Sequence, residues 1–371
     1  MSLMALSHFP MLNTLELTPA MYLGSCRYKL PDYTEDPAPY KQIFERFEEY
    51  GISAFFYIGG NDSMDTVLKL SNYAKSIQSD VKIIGVPKTI DNDLFATDHT
   101  PGFGSAAKYV ASTVLEIAHD AYIYKIPAVI IIEIMGRDAG WLTASSALAR
   151  TTYSQAPDLI YLPEVAFSKE QFLADVKDKL TKQKTVIVAV SEGIHDADGN
   201  YISSDSAVAD KFGHAQLSGA GKALEYLVRD EIGVKVRSIE LNVLQRCAGH
   251  IASRTDITES FSLGQAAVKY AAEGKTGIMA AIERISNDPY QWVIKSADVA
   301  DIANEAKSVP VEWINEAGND VTDEMIDYLR PLIIGEVSLQ YKMDFLYIFR
   351  SITYYINCLY IKKYNQNPCV R

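Results

Sequence analysis

Short apolar runs rich in Ile, Val and Phe alternate along the chain with longer stretches in which apolar residues recur every three or four positions. The short runs predict strands at Ile52 to Ile58, Val81 to Val86, Ala128 to Ile134, Asp158 to Leu162 and Thr185 to Val190. The periodic stretches predict helices at Ser63 to Ile77, Ser105 to Ala121, Trp141 to Arg150 and Ser168 to Gln183. Repeated β-loop-α order implies an α/β fold of mainly parallel sheets, each covered by helices on both faces. The pattern breaks near Pro101 to Ser105, and a second α/β domain is expected from about residue 103. A length of 371 residues agrees with two domains, at roughly 150 residues each.

Open α/β sheets bind ligands outside the carboxyl ends of their strands. The loops there are chemically rich. Gly59-Gly60-Asn61-Asp62-Ser63 follows the first strand and Pro87-Lys88-Thr89-Ile90-Asp91-Asn92-Asp93 the second. Later come Met135-Gly136-Arg137-Asp138-Ala139-Gly140, Ser191-Glu192-Gly193, and the segment Lys235 to Arg246 with Arg237 and Arg246 at expected strand ends. Each has two readings. The glycine pair is a tight turn, or it lets backbone amides approach an anion at a helix N-terminus. Asp62 or Ser63 is a helix N-cap, a ligand, or both. Asp91 to Asp93 is a self-bonded turn, or a carboxylate base with Lys88 beside it to offset phosphate charge. Glu192 accepts from sugar hydroxyls or pairs with an arginine, and the arginines are surface groups or the forks that a sugar phosphate requires.

Charge and composition narrow these choices. A net charge of −12 argues against nucleic acid as a partner, which needs a basic face. Cys26, Cys247, Cys358 and Cys369 lack zinc-ligand or redox spacing and fit a reducing, cytoplasmic compartment. His195, His214 and His250 have no companion spacing for a metal. The most apolar late stretch, Phe345 to Ile361, is interrupted by Arg350, Thr353 and Asn357, so no membrane span is expected.

The ordered set Gly-Ser-Cys-Arg (Gly24 to Arg27), Gly-Gly-Asn-Asp-Ser, Pro-Lys-Thr-Ile-Asp-Asn-Asp, Gly-Phe-Gly-Ser (Gly102 to Ser105), Met-Gly-Arg and Gln245-Arg246 resembles the phosphofructokinase family across roughly residues 20 to 335. The resemblance implies two Rossmann-like three-layer domains and phosphorylation of fructose 6-phosphate at its 1-hydroxyl in the cleft between them. ATP-using members typically carry Gly-Gly-Asp-Gly-Ser and a glycine before Thr-Ile-Asp. Asp62 and Lys88 stand at those positions here, as in pyrophosphate-dependent members. A carboxylate at Asp62 would repel a nucleotide α-phosphate, and Lys88 suits a departing inorganic phosphate.

By the same resemblance Asp91 is the general base, with Lys88, Thr89, Asp93 and Arg137 beside it in catalysis. Thr89, Asp91, Met135, Gly136, Arg137, Glu192, Arg237 and Arg246 bind the sugar phosphate, the resemblance implying that Arg237 acts from a neighbouring subunit. Arg27, Gly60, Asn61, Asp62, Ser63 and Lys88 bind pyrophosphate, and Mg²⁺ sits near Asn61 and Asp93. The implied reaction is reversible and glycolytic, and the implied assembly is a homo-oligomer, dimer or tetramer.

The implied donor domain spans 1–102 plus about 247–300, the sugar domain 103–246 plus about 301–340, and 341–371 is an atypical tail. There are departures. Asn61 replaces an aspartate, Val243 a histidine or tyrosine, and the family's opening strand with its first Gly-Gly loop is expected to be missing. An ATP-dependent kinase and a catalytically impaired sugar-phosphate-binding homologue therefore stand as alternatives.

Overall fold

The computed structural model describes residues 28–202, 219–303 and 305–339, with 18, 20, 24–25 and the backbone of four two-residue strands. Cys26, Arg27, His214, Cys358, Cys369 and most of the 341–371 tail lie outside the described residues. In chain order the elements are α1 (Ala38–Glu49), β1 (Ala54–Gly59), α2 (Asn61–Ser76), β2 (Lys82–Pro87), α3 (Phe103–Tyr122), β3 (Ala128–Ile134), α4 (Trp141–Ser145), β4 (Leu159–Tyr161), α5 (Lys169–Lys182) and β5 (Thr185–Ser191). After these come β6 (Val208–Ala209), β7 (Ala215–Gln216), α6 (Ala220–Glu231), β8 (Lys235–Glu240), α7 (Arg254–Ala272), β9 (Ile278–Asn287), β10 (Tyr290–Asp298), α8 (Asp323–Leu329), β11 (Tyr341–Lys342) and β12 (Phe345–Leu346).

Two four-stranded sheets organise the molecule. The first has the order β1-β2-β9-β10, parallel but for the returning β10. The second, β4-β5-β3-β8, is parallel throughout. Neighbouring β2 residues face opposite layers, as the strand period of two requires. Ile83 packs under Tyr40 and Phe47 of α1 and Met64 of α2, while Ile84 packs against Leu263 and Ala267 of α7. In the second sheet Ile132, Ile134 and Ile187 meet α3, α4 and α8, and Val129, Ile131 and Val188 meet α5 and α6. Every residue of β5 is buried, which explains its uninterrupted apolar run.

The helix expected from Trp141 to Arg150 stops early. α4 ends at Ser145 and a 3₁₀ turn carries the chain to Ala149. Ser145 and Ser146 hydroxyls donate to the carbonyls of Leu142 and Thr143, both at 2.6 Å, three residues back, where they compete with the α-helical ladder.

The Gly-Phe-Gly-Ser motif proves to be a packed joint between the two sheets. Gly102, at φ +98°, is the N-cap of α3 and has no side chain to cap it. Buried Asp256 of α7 does so instead, accepting from Gly102 N at 2.8 Å, from Ser105 N at 3.1 Å and from the Ser105 hydroxyl. A Cβ at Gly104 would lie 2.5 Å from the Leu332 carbonyl oxygen.

Candidate active site

The first two loops lie side by side. Gly59 is in register with Pro87, and Lys88 N donates to Gly59 O at 2.9 Å. α2 starts directly from the strand, with Gly60 as an N-cap that offers no side-chain oxygen, so neither Asp62 nor Ser63 has that role. The two glycines differ. A Cβ at Gly59 would fall 1.8 Å from Ser63 Oγ, so that glycine serves packing. At Gly60 it would meet nothing closer than Lys88 O at 3.7 Å, and the backbone is open. Asp62 and Lys88 are exposed on this side, and Asn61 Nδ2 donates to Glu305 O at 3.0 Å.

The loop after β2 is braced from within. Thr89 Oγ1 donates to Asp91 Oδ2 at 2.9 Å and accepts from Asp91 N at 3.1 Å, which fixes the direction of that carboxylate. Asn92, fully buried at φ +56°, accepts from Thr100 N at 3.1 Å and donates to the Tyr328 hydroxyl at 2.9 Å. Burial pushes the Asp93 carboxyl up to about 6, helped by the negative charges of Asp91 and Asp138. Two further carboxylates thus act on Asp93.

The sugar-side loops are tighter still. Ile134 and Ser191 are in register, and Glu192 N donates to Ile134 O at 2.9 Å. The Ser191 hydroxyl donates to Gly136 O, and Gly136 N donates to Glu192 Oε1 at 3.4 Å. Gly193 is pressed onto the neighbouring loop, where an added Cβ would lie 1.8 Å from the Arg137 carbonyl oxygen. Burial pushes Glu192 up to about 7, with Glu133 and Asp91 adding and Arg137 opposing. Asp91 and Arg137 therefore sit within electrostatic reach of Glu192, although they come from different sheets. Arg137 Nε is buried with no hydrogen-bond partner among the described residues, and Met135 packs partly buried on the core.

Arg237 is not at a strand end. It is the third residue of β8, paired with Ile130 and exposed, about 10 Å back from the carboxyl end of its strand at roughly 3.3 Å per residue. On this edge strand Lys235, Arg237 and Glu240 face water while Val236, Ser238 and Ile239 are half-buried. Arg246 ends the 3₁₀ turn 242–246 and is exposed, as is Val243. His195 is half-buried beside Gly193 O at 3.3 Å, His250 is exposed, and Cys247 is a free thiol.

A buried polar network behind the site was not visible in the sequence. His99 Nδ1 lies 2.7 Å from Asp98 Oδ2 and its Nε2 2.6 Å from Glu259 Oε2. Burial opposes the imidazolium, but the two carboxylates outweigh it and raise the His99 pKa. Arg284 Nε donates to Asp98 Oδ2 at 3.0 Å and the Tyr290 hydroxyl to Glu259 Oε1 at 2.6 Å. Lys307 joins at Asp98 O, and burial pushes it down to about 8 against the attraction of Asp98 and Asp93. The one sequence hint is the charged pair Asp98-His99 in a segment too short to expose both.

The family model for phosphofructokinase matches residues 10–271. The chain belongs to the phosphofructokinase family. A pyrophosphate–fructose 6-phosphate 1-phosphotransferase from Xanthomonas campestris pv. campestris is 43% identical over 332 residues, 89% of this chain and 79% of that protein. One from Halomonas elongata is 40% identical over 87% of this chain and 77% of its own. The solved pyrophosphate-dependent phosphofructokinase from Nitrosospira multiformis superposes with a TM-score of 0.81 at 38% identity, covering 90% of this chain and 79% of its own. This phosphofructokinase-family chain has the expected mixed α/β fold with parallel sheets. Among the described residues, no helix is long and apolar enough to cross a membrane.

Proposed function

We propose that this chain transfers a phosphoryl group from pyrophosphate to the 1-hydroxyl of fructose 6-phosphate, giving fructose 1,6-bisphosphate and inorganic phosphate, reversibly. The observation that carries the reading is the placement of Asp91. Its carboxylate, held by Thr89, belongs to the donor-side sheet yet acts electrostatically on Glu192 of the sugar-side sheet. Asp91 takes the hydroxyl proton as that oxygen attacks phosphorus, the bridging P–O bond breaks, and Lys88 offsets charge on the departing phosphate. Arg137, with its unpartnered Nε, and Glu192 grip the sugar phosphate together with Met135, Gly136 and Arg246, while Arg237 serves a neighbouring subunit's site. Gly60, Asn61, Asp62, Ser63 and Arg27 meet pyrophosphate, with 1–102 plus about 247–300 as the donor domain and 103–246 plus about 301–340 as the sugar domain.

The residues also fit Mg²⁺ held jointly with phosphate. Among the described residues no group of three His, Cys, Asp or Glu can cage a metal, yet burial, with the charges of Asp91 and Asp138 adding to it, drives Asp93 toward neutrality. That suits an ion bound through one or two protein oxygens plus substrate phosphates, Asp93 and the neutral Asn61 being the residues that would hold it. When bound, it would neutralise charge on the pyrophosphate oxygens. Homo-oligomerisation and a cytoplasmic setting belong to the same reading, the first resting on the family resemblance and the second on the cysteine pattern.

The test is a phosphate-release assay on purified protein with fructose 6-phosphate and either donor. Turnover is expected with pyrophosphate and none with ATP. Activity with ATP alone would overturn the donor assignment, and binding of fructose 6-phosphate without turnover on either donor would overturn the enzymatic one.

A further inference from the structure

Segment 305–309 leaves the first sheet after β10 and the 3₁₀ turn 299–301, and it enters the core of the second at buried Val309. On the way it touches three of the loops assembled above. Glu305 O accepts from Asn61 of the donor loop. Ala306 pairs antiparallel with Leu94, and Lys307 N donates to Asp93 O at 2.8 Å. Lys307 O accepts from the indole Nε1 of Trp141 at 2.8 Å, and Val309 N donates to Glu164 Oε1 at 2.9 Å, an atom that also accepts from Gly140 N at 2.8 Å. A single extended stretch is therefore tied to the pyrophosphate loop, the base loop and the end of the sugar loop.

Lys307 is its centre. An ammonium has three N–H donors. Its Nζ lies 2.5 Å from Asp98 O, 3.2 Å from Thr97 O and 3.4 Å from Asn92 Oδ1, and it stands 5.1 Å from the centre of the Trp141 ring. Those three acceptors use all its donors, so no N–H is left for a phosphate. All three belong to the turn that starts at Asp91, whereas Trp141 opens α4 directly after the Met-Gly-Arg loop.

We propose that Lys307 is a positioning residue for the transfer: it holds the Asp91 turn at a fixed separation from α4, so that base and sugar loop meet without the lysine touching either substrate. The inference rests on the proposed reaction. A misplacement of about 1 Å at such a site costs on the order of 10²-fold in rate.

The experiment compares steady-state kinetics of the full-length wild type, Lys307→Met and Trp141→Phe, with thermal unfolding to confirm folding. Lys307→Met is expected to lower kcat about 10- to 100-fold while both KM values stay within about threefold, the signature of lost transition-state geometry. Trp141→Phe, which removes the indole donor, should lower kcat in the same direction by about threefold. A Lys307→Met kcat within about twofold of wild type overturns the proposal, as does a raised KM at constant kcat, which would put the ammonium on a substrate. If Lys307→Met does not fold, Trp141→Phe decides, and an unchanged kcat overturns the idea. A wild type that turns over ATP but not pyrophosphate sinks the donor reading instead, and the same kcat comparison is then made with ATP.

Discussion

The two strand edges that face each other are built differently. On the donor side Lys88 and Asp62 are exposed and Gly60 has open space around its backbone. On the sugar side Gly136, Ser191 and Gly193 are buried, loops touch backbone to backbone, and a carboxylate is held near neutrality. The donor edge leaves its charges in water for a small, highly charged ligand to organise. The sugar edge is assembled beforehand, at an electrostatic cost, as selection of a larger neutral ring with one phosphate requires. Asp91 stands where the two regimes meet.

Substitutions on either side can break this contrast. Asp91→Asn, which keeps shape and removes the base, should lower kcat by about 10² to 10⁴, and a variant with near-normal turnover would remove Asp91 from the chemistry. On the prebuilt side, Gly193→Ala sets a methyl against the Arg137 carbonyl and should cost about 3 kcal/mol by urea denaturation, the upper end for overpacking. A loss under about 1 kcal/mol would show that this edge yields as readily as the other.

Glu192 tests the electrostatic cost. Its pKa is raised from 4.5 to about 7, so the folded state holds the proton more tightly than the unfolded chain. The stability it contributes is present below the unfolded value and is lost as pH rises through 7. Glu192→Gln should therefore remove roughly 2 kcal/mol of the fall in unfolding free energy between pH 5 and pH 8. An unchanged slope would mean that Glu192 is solvated like a donor-side group. The smallest effect is expected at Gly60→Ala, which should alter stability by less than about 0.5 kcal/mol yet raise the KM for pyrophosphate, because only the ligand needs that space. A folding defect there would show the donor edge to be packed after all.

The same contrast explains what the sequence disclosed. Strands β2, β3 and β5 were legible because both faces are buried, so Ile84 and Val188 sit in unbroken apolar runs. The hairpin of β9 and β10 was not, since beyond Ile282 alternate side chains such as Glu283 and Lys295 face outward and dilute the apolar signal. Strand-end residues such as Asp91 and Glu192 were legible from their position after those runs. Lys307, His99 and Glu259 were not, because each gains its role from a partner far along the chain: Asp98 for Lys307, Glu259 for His99 and Tyr290 for Glu259. Arg237 was misplaced for a related reason: a charged residue in an exposed edge strand resembles one in a loop.

The cap on α3 has a consequence for how the chain is made. Ser105 receives its partner from a residue 151 positions later. By then β3, β4, β5 and β8 have all left the ribosome, so the second sheet can pair fully while the helix lying across it still begins with bare amides. Translation past Asp256 is what closes that helix, and it does so with the element that covers the other sheet, tying the completion of one half to the arrival of its neighbour.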